Sequence, residues 1–320
     1  MDILIQIGLL ILGFVLLIKG AGWFVDGAAG IAEKFKIPQL VIGLTIVAMG
    51  TSAPEAAISI TGAMNGAADI AIGNVFGSNI LNILIILGLT GTITTIAVQK
   101  STLFIELPFM IGISIVLLFM GINDNVVNLF EGIILVILFI IYLIYLFIVA
   151  KKNGDKKEKQ TEEFEIEDAP EEKTVLELIL LAIFGSAIIV VGSNITVDAA
   201  TKIAEFIGLS ERIIGLTIVA LGTSLPELVT SVTAAKKGNA DIAIGNIVGS
   251  NIFNILFVIG ISALIIPITF ASNFIIDAII AIAAGILLLI ATIRKKKLTR
   301  FWSIIMLIGY AAYLIYMLIG

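Results

Sequence analysis

The sequence contains neither cysteine nor histidine. Without cysteine there is no disulfide framework, no thiolate metal site and no cysteine nucleophile. Without histidine there is no HExxH zinc-protease motif, no Ser–His catalysis and no imidazole proton relay. Charge is scarce too: Asp, Glu, Lys and Arg make up 13% of the 320 residues, against about a quarter in soluble domains. With 19 basic and 24 acidic residues the net charge is −5. No basic patch exists to neutralise phosphates, which excludes nucleic acid as a partner. What abounds is apolar: 59% hydrophobic residues, with a mean hydropathy of +1.16. That much apolar surface must face lipid, so the chain reads as a multi-pass protein of the cell membrane.

An apolar run of about 20 residues crosses the hydrocarbon core as a helix. Ten such runs are expected, at approximately 3–33, 39–65, 69–95, 103–122, 126–150, 174–206, 212–236, 241–267, 273–293 and 301–319. Met1–Ile18 lacks a basic n-region and a small-x-small cleavage site, so it reads as part of the first span rather than a signal peptide. Cytoplasmic loops collect Lys and Arg. With the N-terminus outside, 16 of the 19 basic residues fall in cytoplasmic loops, and both termini are then extracellular. The segment 151–173 holds nine acidic and six basic residues and almost no large apolar ones. It is expected to be a solvated cytoplasmic linker, dividing the chain into halves 1–150 and 174–320.

The halves repeat each other. A shift of 172 residues superimposes Ile42–Ile85 on Ile214–Phe257 without a gap, and 30 of those 44 positions are identical. Five spans per half is an odd number, so the second half enters the membrane from the opposite side. The expected architecture is therefore an all-α polytopic membrane protein of ten transmembrane helices in two inverted five-helix repeats. Inverted repeats are the architecture of secondary transporters, whose sites lie at the midplane on interrupted helices.

Each repeat carries an interruption, Gly50–Glu55 (GTSAPE) and Gly222–Glu227 (GTSLPE). Proline removes a backbone donor, and glycine lowers the cost of unwinding. Freed carbonyls in lipid are tolerated only where they line a cavity or meet another partner, and a cation is such a partner. Glu55 and Glu227 are the acids set deepest in their spans, with no Lys or Arg at comparable depth to neutralise them. An intramembrane acid is a functional residue by default. Downstream, Asn74, Ser78 and Asn82 are spaced to share one helical face, as are Asn246, Ser250 and Asn254. Asn79 and Asn251 lie off that stripe and suit interhelical hydrogen bonds. Carboxylate, hydroxyl and amide oxygens converging in this way make a cage for hard cations, of which Ca²⁺ takes about 6–8 oxygens. Asp69 and Asp241 begin helices, where an acid complements the dipole. Asp26, Asp198, Glu33 and Glu205 sit near helix ends.

The paired motifs GTSAPE…GNVFGSNILN and GTSLPE…GNIVGSNIFN resemble the two alpha-repeats of the cation/calcium exchanger superfamily, and within it the prokaryotic sodium/calcium exchangers. The resemblance covers essentially the whole chain. It implies Ca²⁺ held by Glu55, Glu227 and the carbonyls of Thr51 and Thr223. It implies Na⁺ sites that share those glutamates and add Ser52, Ser78, Ser224 and Ser250 with the carbonyls of Ala48 and Ala220. Asn82 and Asn254 would complete the central position. Exchange of three Na⁺ for one Ca²⁺ and sliding of the first and sixth helices are further implications. Neither a cofactor nor an obligate protein partner is implied; the partners are the two ions and the bilayer. Some relatives, including potassium-dependent exchangers, carry Asp where this chain has Asn254, which argues against K⁺ co-transport. The alternative is a proton/calcium antiporter using the same glutamates. A cation channel fits less well, because one midplane site in a single chain offers no continuous pore, and an intramembrane enzyme finds no nucleophile–base motif.

Overall fold

A computed structural model describes residues 3–66, 69–161, 173–208 and 220–319. The protein is helical almost throughout. In chain order the helices are α1 (Ile3–Lys34), α2 (Gln39–Thr51), α3 (Ala53–Met64), α4 (Ile70–Ile93), α5 (Thr102–Asp124) and α6 (Leu129–Thr161). The second half holds α7 (Val175–Phe206), α8 (Ala220–Thr223), α9 (Leu225–Lys236), α10 (Ala240–Ile265), α11 (Ser272–Ile293) and α12 (Arg300–Ile319).

Eight of these helices are long and apolar enough to cross a membrane, and α2 with α3, bent by 51°, brings the number to nine among the described residues. The expected second span is this bent pair. The expected seventh, 212–236, lies partly outside the described residues, which resume at Ala220 in α8. Helix α6 runs on to Thr161, past residue 150 where the apolar run ends. The residues it adds, 151–161, are largely Lys, Glu and Gln, which are good helix formers.

Local geometry recurs at the spacing that relates the two halves of the sequence. The π-helical turns Asn82–Leu87 and Asn254–Ile259 occupy matched positions. So do the left-handed turns at Lys36 and Gly208, and at Gly66 and Gly238. Four two-residue strands, which the apolar pattern does not anticipate, tie the halves together. β1 (Ile96–Ala97) pairs antiparallel with β4 (Lys297–Leu298), and β2 (Val126–Val127) with β3 (Ile268–Thr269). Each ribbon therefore joins one half to the other.

Burial identifies the centre. Along their most apolar stretches, α10 is 83% buried and α4 72%, whereas α12 is 17% and α1 22%. Small residues let the central helices approach closely, as is usual where lipid supplies no hydrophobic drive. A Cβ at Gly245 would lie 3.0 Å from Gly43, and one at Gly249 would lie 2.7 Å from the Leu44 carbonyl. This locks α10 against α2. Helices α1 and α7 pack along their whole length through Gly13, Gly20 and Gly27 on one side and Gly185 and Gly192 on the other. About two turns before their C-terminal ends, Asp26 pairs with Lys237 at 2.7 Å and Asp198 with Lys202 at 2.6 Å, both partly exposed.

Candidate functional site

The site is built on two helix breaks. Between α2 and α3 the chain leaves helical geometry at one residue, Ser52 (φ −84°, ψ 5°), and between α8 and α9 at Ser224 (φ −96°, ψ 8°). The interruption is thus narrower than the unwound six-residue stretch that Gly and Pro suggest. Helical hydrogen bonding resumes at once, with Ala56 N donating to Ser52 O and Leu228 N to Ser224 O at 3.0 Å. The cause is Pro54 and Pro226, second residues of their helices, which cannot donate to the carbonyl four residues back. In the second half that carbonyl belongs to Gly222, and the Ser193 hydroxyl on α7 donates to it at 2.9 Å. Each break also starts a new helix, and Glu55 and Glu227 sit in its first turn. There the positive end of the helix dipole favours a carboxylate.

The two breaks face each other and exchange hydrogen bonds. Ser52 Oγ donates to Glu227 Oε1 at 2.7 Å, and Ser224 Oγ donates to Glu55 Oε1 at 3.3 Å. All four residues are at most 1% exposed. The other oxygen of each carboxylate, Oε2, is buried and meets no hydrogen-bond donor. Neither glutamate forms an ion pair among the described residues.

Helices α4 and α10 supply the surround. Asn74 Nδ2 donates to the Glu55 carbonyl at 3.2 Å and to Ser59 Oγ at 2.9 Å. Asn246 Nδ2 makes the matching bonds to the Glu227 carbonyl at 3.4 Å and Ser231 Oγ at 3.0 Å. Thr51 Oγ1 donates to Asn246 Oδ1 at 3.0 Å. These asparagines brace the glutamate-bearing turns, and the side-chain oxygen of Asn246 is itself occupied by Thr51. Ser59 and Ser231, their partners, were not singled out from the sequence, although their identity across the repeat marks them. Ser250 Oγ reaches the Ala48 carbonyl at 3.4 Å, and Ser78 is buried at the matched position. Thr223 is partly exposed, and Ala220 opens α8.

Asn79 and Asn251 cross-link the centre, each Nδ2 donating to the other's carbonyl at 3.3 and 3.2 Å. Their side-chain oxygens in turn accept from Asn254 Nδ2 at 3.2 Å and Asn82 Nδ2 at 3.0 Å. This orients Asn82 and Asn254 so that both Oδ1 atoms are left buried without a donor. Two carboxylate and two amide oxygens thus share one condition: acceptors removed from water with nothing to accept from. Buried acceptors of this kind cost free energy unless a partner is supplied. No group of three or more acids occurs at one place among the described residues, so a bound cation would draw most of its ligands from neutral oxygens. A cavity of about 370 Å³, lined by Pro54, Ser193, Asn194, Asp198, Gly222 and Thr223 among others, reaches both breaks from the α7 side.

Comparison with known proteins identifies the family. The family model for the sodium/calcium exchanger protein matches residues 5–148 and 177–319, nearly the whole chain. The chain belongs to the sodium/calcium exchanger family. It is 34% identical to the sodium/calcium exchanger MaX1 of Methanosarcina acetivorans, over 96% of this chain and 97% of that protein. It is 39% identical to the putative antiporter CaxA of Alkalimonas amylolytica, over 91% of this chain and 90% of the relative. The solved sodium-calcium exchanger NCX_Mj, soaked with 2.5 mM Na⁺ and 1 mM Sr²⁺, superimposes with a TM-score of 0.82 at 34% identity, covering 98% of both chains. Membership makes this chain a membrane antiporter and not an enzyme.

A further buried acid was not singled out from the sequence: Glu106 on α5 is 2% exposed and accepts from the Tyr145 hydroxyl at 2.8 Å. Its place in an apolar run gave it no motif by which to be noticed.

Proposed function

We propose that the protein exchanges Na⁺ for Ca²⁺ by alternating access, three Na⁺ for each Ca²⁺, and that transport is electrogenic. The observation that carries the reading is the set of four buried, donorless oxygens at Glu55, Glu227, Asn82 and Asn254. A cation is the partner that satisfies such a set, and carboxylate with neutral oxygen is the ligand chemistry of hard cations. In this reading Ca²⁺ is held by Glu55, Glu227 and the carbonyls of Thr51 and Thr223. Na⁺ ions use the same glutamates with Ser52, Ser78, Ser224, Ser250 and the carbonyls of Ala48 and Ala220. Asn82 and Asn254 complete the central position. Competition for the glutamates couples the two ions, because an empty pair of buried carboxylates resists crossing.

The halves 1–150 and 174–320 are five-helix repeats of opposite orientation, ten spans in all, with 151–173 as a cytoplasmic linker and both termini extracellular. Ions enter through the cavity beside α7. Sliding of α1 and α7, packed as one unit, exposes the site alternately. The test is ⁴⁵Ca²⁺ uptake into proteoliposomes loaded with Na⁺ and diluted into Na⁺-free buffer, with a pH-gradient arm and Glu55→Gln. Uptake driven by the Na⁺ gradient and abolished by the substitution is expected. Uptake driven only by a proton gradient would replace Na⁺ with H⁺, and Na⁺-driven uptake surviving Glu55→Gln would remove the site.

A further inference from the structure

Glu106 has no role in the ion site, yet it is an acid inside an apolar helix, four residues beyond Thr102 where α5 begins. Thr102–Glu106 forms one π-helical turn, so Glu106 lies in the first turn of a membrane-spanning helix, close to its end. Glu106 Oε1 accepts from the Tyr145 hydroxyl at 2.8 Å, but Oε2 is buried without a partner, and so is the hydroxyl of Tyr142. Both groups line a crevice of about 220 Å³ between α5 and α6 whose other walls are Phe109, Leu138 and Ile141. Phe109 and Tyr142 are stacked at 5.5 Å along one side. No basic side chain lines the crevice. Its rim is open to lipid, since Ile105 is 46% and Ile141 56% exposed. The second half carries a counterpart, Asp277 on α11 accepting from Tyr313 on α12 at 2.8 Å, five residues beyond Ser272.

We infer that this crevice binds the primary ammonium headgroup of an aminophospholipid. An ammonium brings three N–H donors and the positive charge that the carboxylate lacks, and satisfies Glu106 Oε2 and the Tyr142 oxygen together. A quaternary ammonium has no N–H and leaves both acceptors unpaired. Lys100, just before α5, and Lys151 and Lys152, six and seven residues beyond Tyr145, are exposed at the same end of the helices. They suit the lipid phosphate, while the acyl chains lie along Leu138, Ile141 and Phe109. A lipid rather than a free amine is the source, because the carboxylate lies in the first turn of a membrane-spanning helix and the crevice opens sideways past Ile105 and Ile141.

Native mass spectrometry of the full-length protein, titrated with phosphatidylethanolamine, phosphatidylcholine or dodecylamine, tests the assignment. Phosphatidylethanolamine is expected to be retained in preference to phosphatidylcholine. Glu106→Gln should weaken that retention by about tenfold, the effect of one lost charge-assisted hydrogen bond, and leave phosphatidylcholine unchanged. Ile141→Trp keeps the carboxylate and fills the crevice, so it should remove the preference with Na⁺-driven Ca²⁺ uptake intact; it also serves if Glu106→Gln does not fold. Equal retention of the two lipids, a preference that survives either variant, or binding of dodecylamine alone would each overturn the inference.

Discussion

The contact between α1 and α7 allows a prediction in which two glycines of one helix should behave in opposite ways. A Cβ at Gly20 would come within 2.9 Å of the Gly185 carbonyl oxygen and of Ile189 N, while one at Gly8 meets nothing within 4 Å. Ordinary contact needs about 3.4 Å or more, so Gly20→Ala must push the two helices apart by roughly 0.5 Å, and the partner atoms are backbone, which cannot rotate away. Overpacking of this kind costs about 1–3 kcal/mol. The displacement also loosens Gly13, Gly27 and Gly192, which lie on the same seam, so the upper half of that range is expected. Gly8→Ala adds a methyl group in open space and relieves the entropic penalty of glycine in a helix, worth up to about 1 kcal/mol in its favour. Thermal unfolding of purified protein in one detergent, followed by near-UV circular dichroism, compares the two. Gly20→Ala should melt several degrees below the parent and Gly8→Ala at or above it. If both variants shift in the same direction and by similar amounts, the close seam between α1 and α7 is not what holds them together.

Two further predictions concern the site. Ser52→Ala removes the 2.7 Å hydrogen bond to Glu227, and Ser224→Ala the longer 3.3 Å bond to Glu55. A hydrogen bond to a charged group contributes about 1.5–3 kcal/mol, so Ser52→Ala should raise the half-inhibiting Na⁺ concentration in Ca²⁺ uptake by about tenfold or more, and by more than Ser224→Ala does. An equal loss of Ca²⁺ affinity would show that the serine serves both ions alike. Asn79→Ala breaks the bond to the Asn251 carbonyl and leaves Asn254 Nδ2 without its acceptor. The expected loss is about 2–4 kcal/mol, the cost of orphaning buried polar groups on both sides; a melting temperature within a degree of the parent would remove Asn79 from the central cross-link.

Much of the protein is legible along the chain because the bilayer is a severe solvent. Helix ends for α1, α7, α11 and α12 follow from where apolar residues stop, since a lipid-facing backbone has no alternative to the helix. The repeat makes Glu55, Ser52, Asn82 and their partners in the second half visible as pairs before any contact is known. What the one-dimensional pattern cannot contain is which oxygen points where. Asn246 and Asn254 share a face and a residue type, yet the Asn246 side-chain oxygen accepts from Thr51 while that of Asn254 is left without a donor. The difference is made by Thr51 and Asn79, which reach them from other helices. At the second break the carbonyl that Pro226 orphans, Gly222, is taken over by Ser193 from another helix, which no local pattern announces. The β-ribbons that join the halves are too short for alternation to register. Glu106 is hidden by the apolar run around it.

Sequence by itself determined the membrane class, the two homologous halves and the residue types at the two breaks, because hydropathy and identity are properties of single positions and their spacing. Tertiary structure alone decided that Ser52 serves the glutamate of the opposite half, and Ser224 that of the first. A hydrogen bond between residues 175 positions apart depends on how helices from the two halves cross, and close glycine contacts such as Gly43 against Gly245 fix that crossing only once the chain is folded.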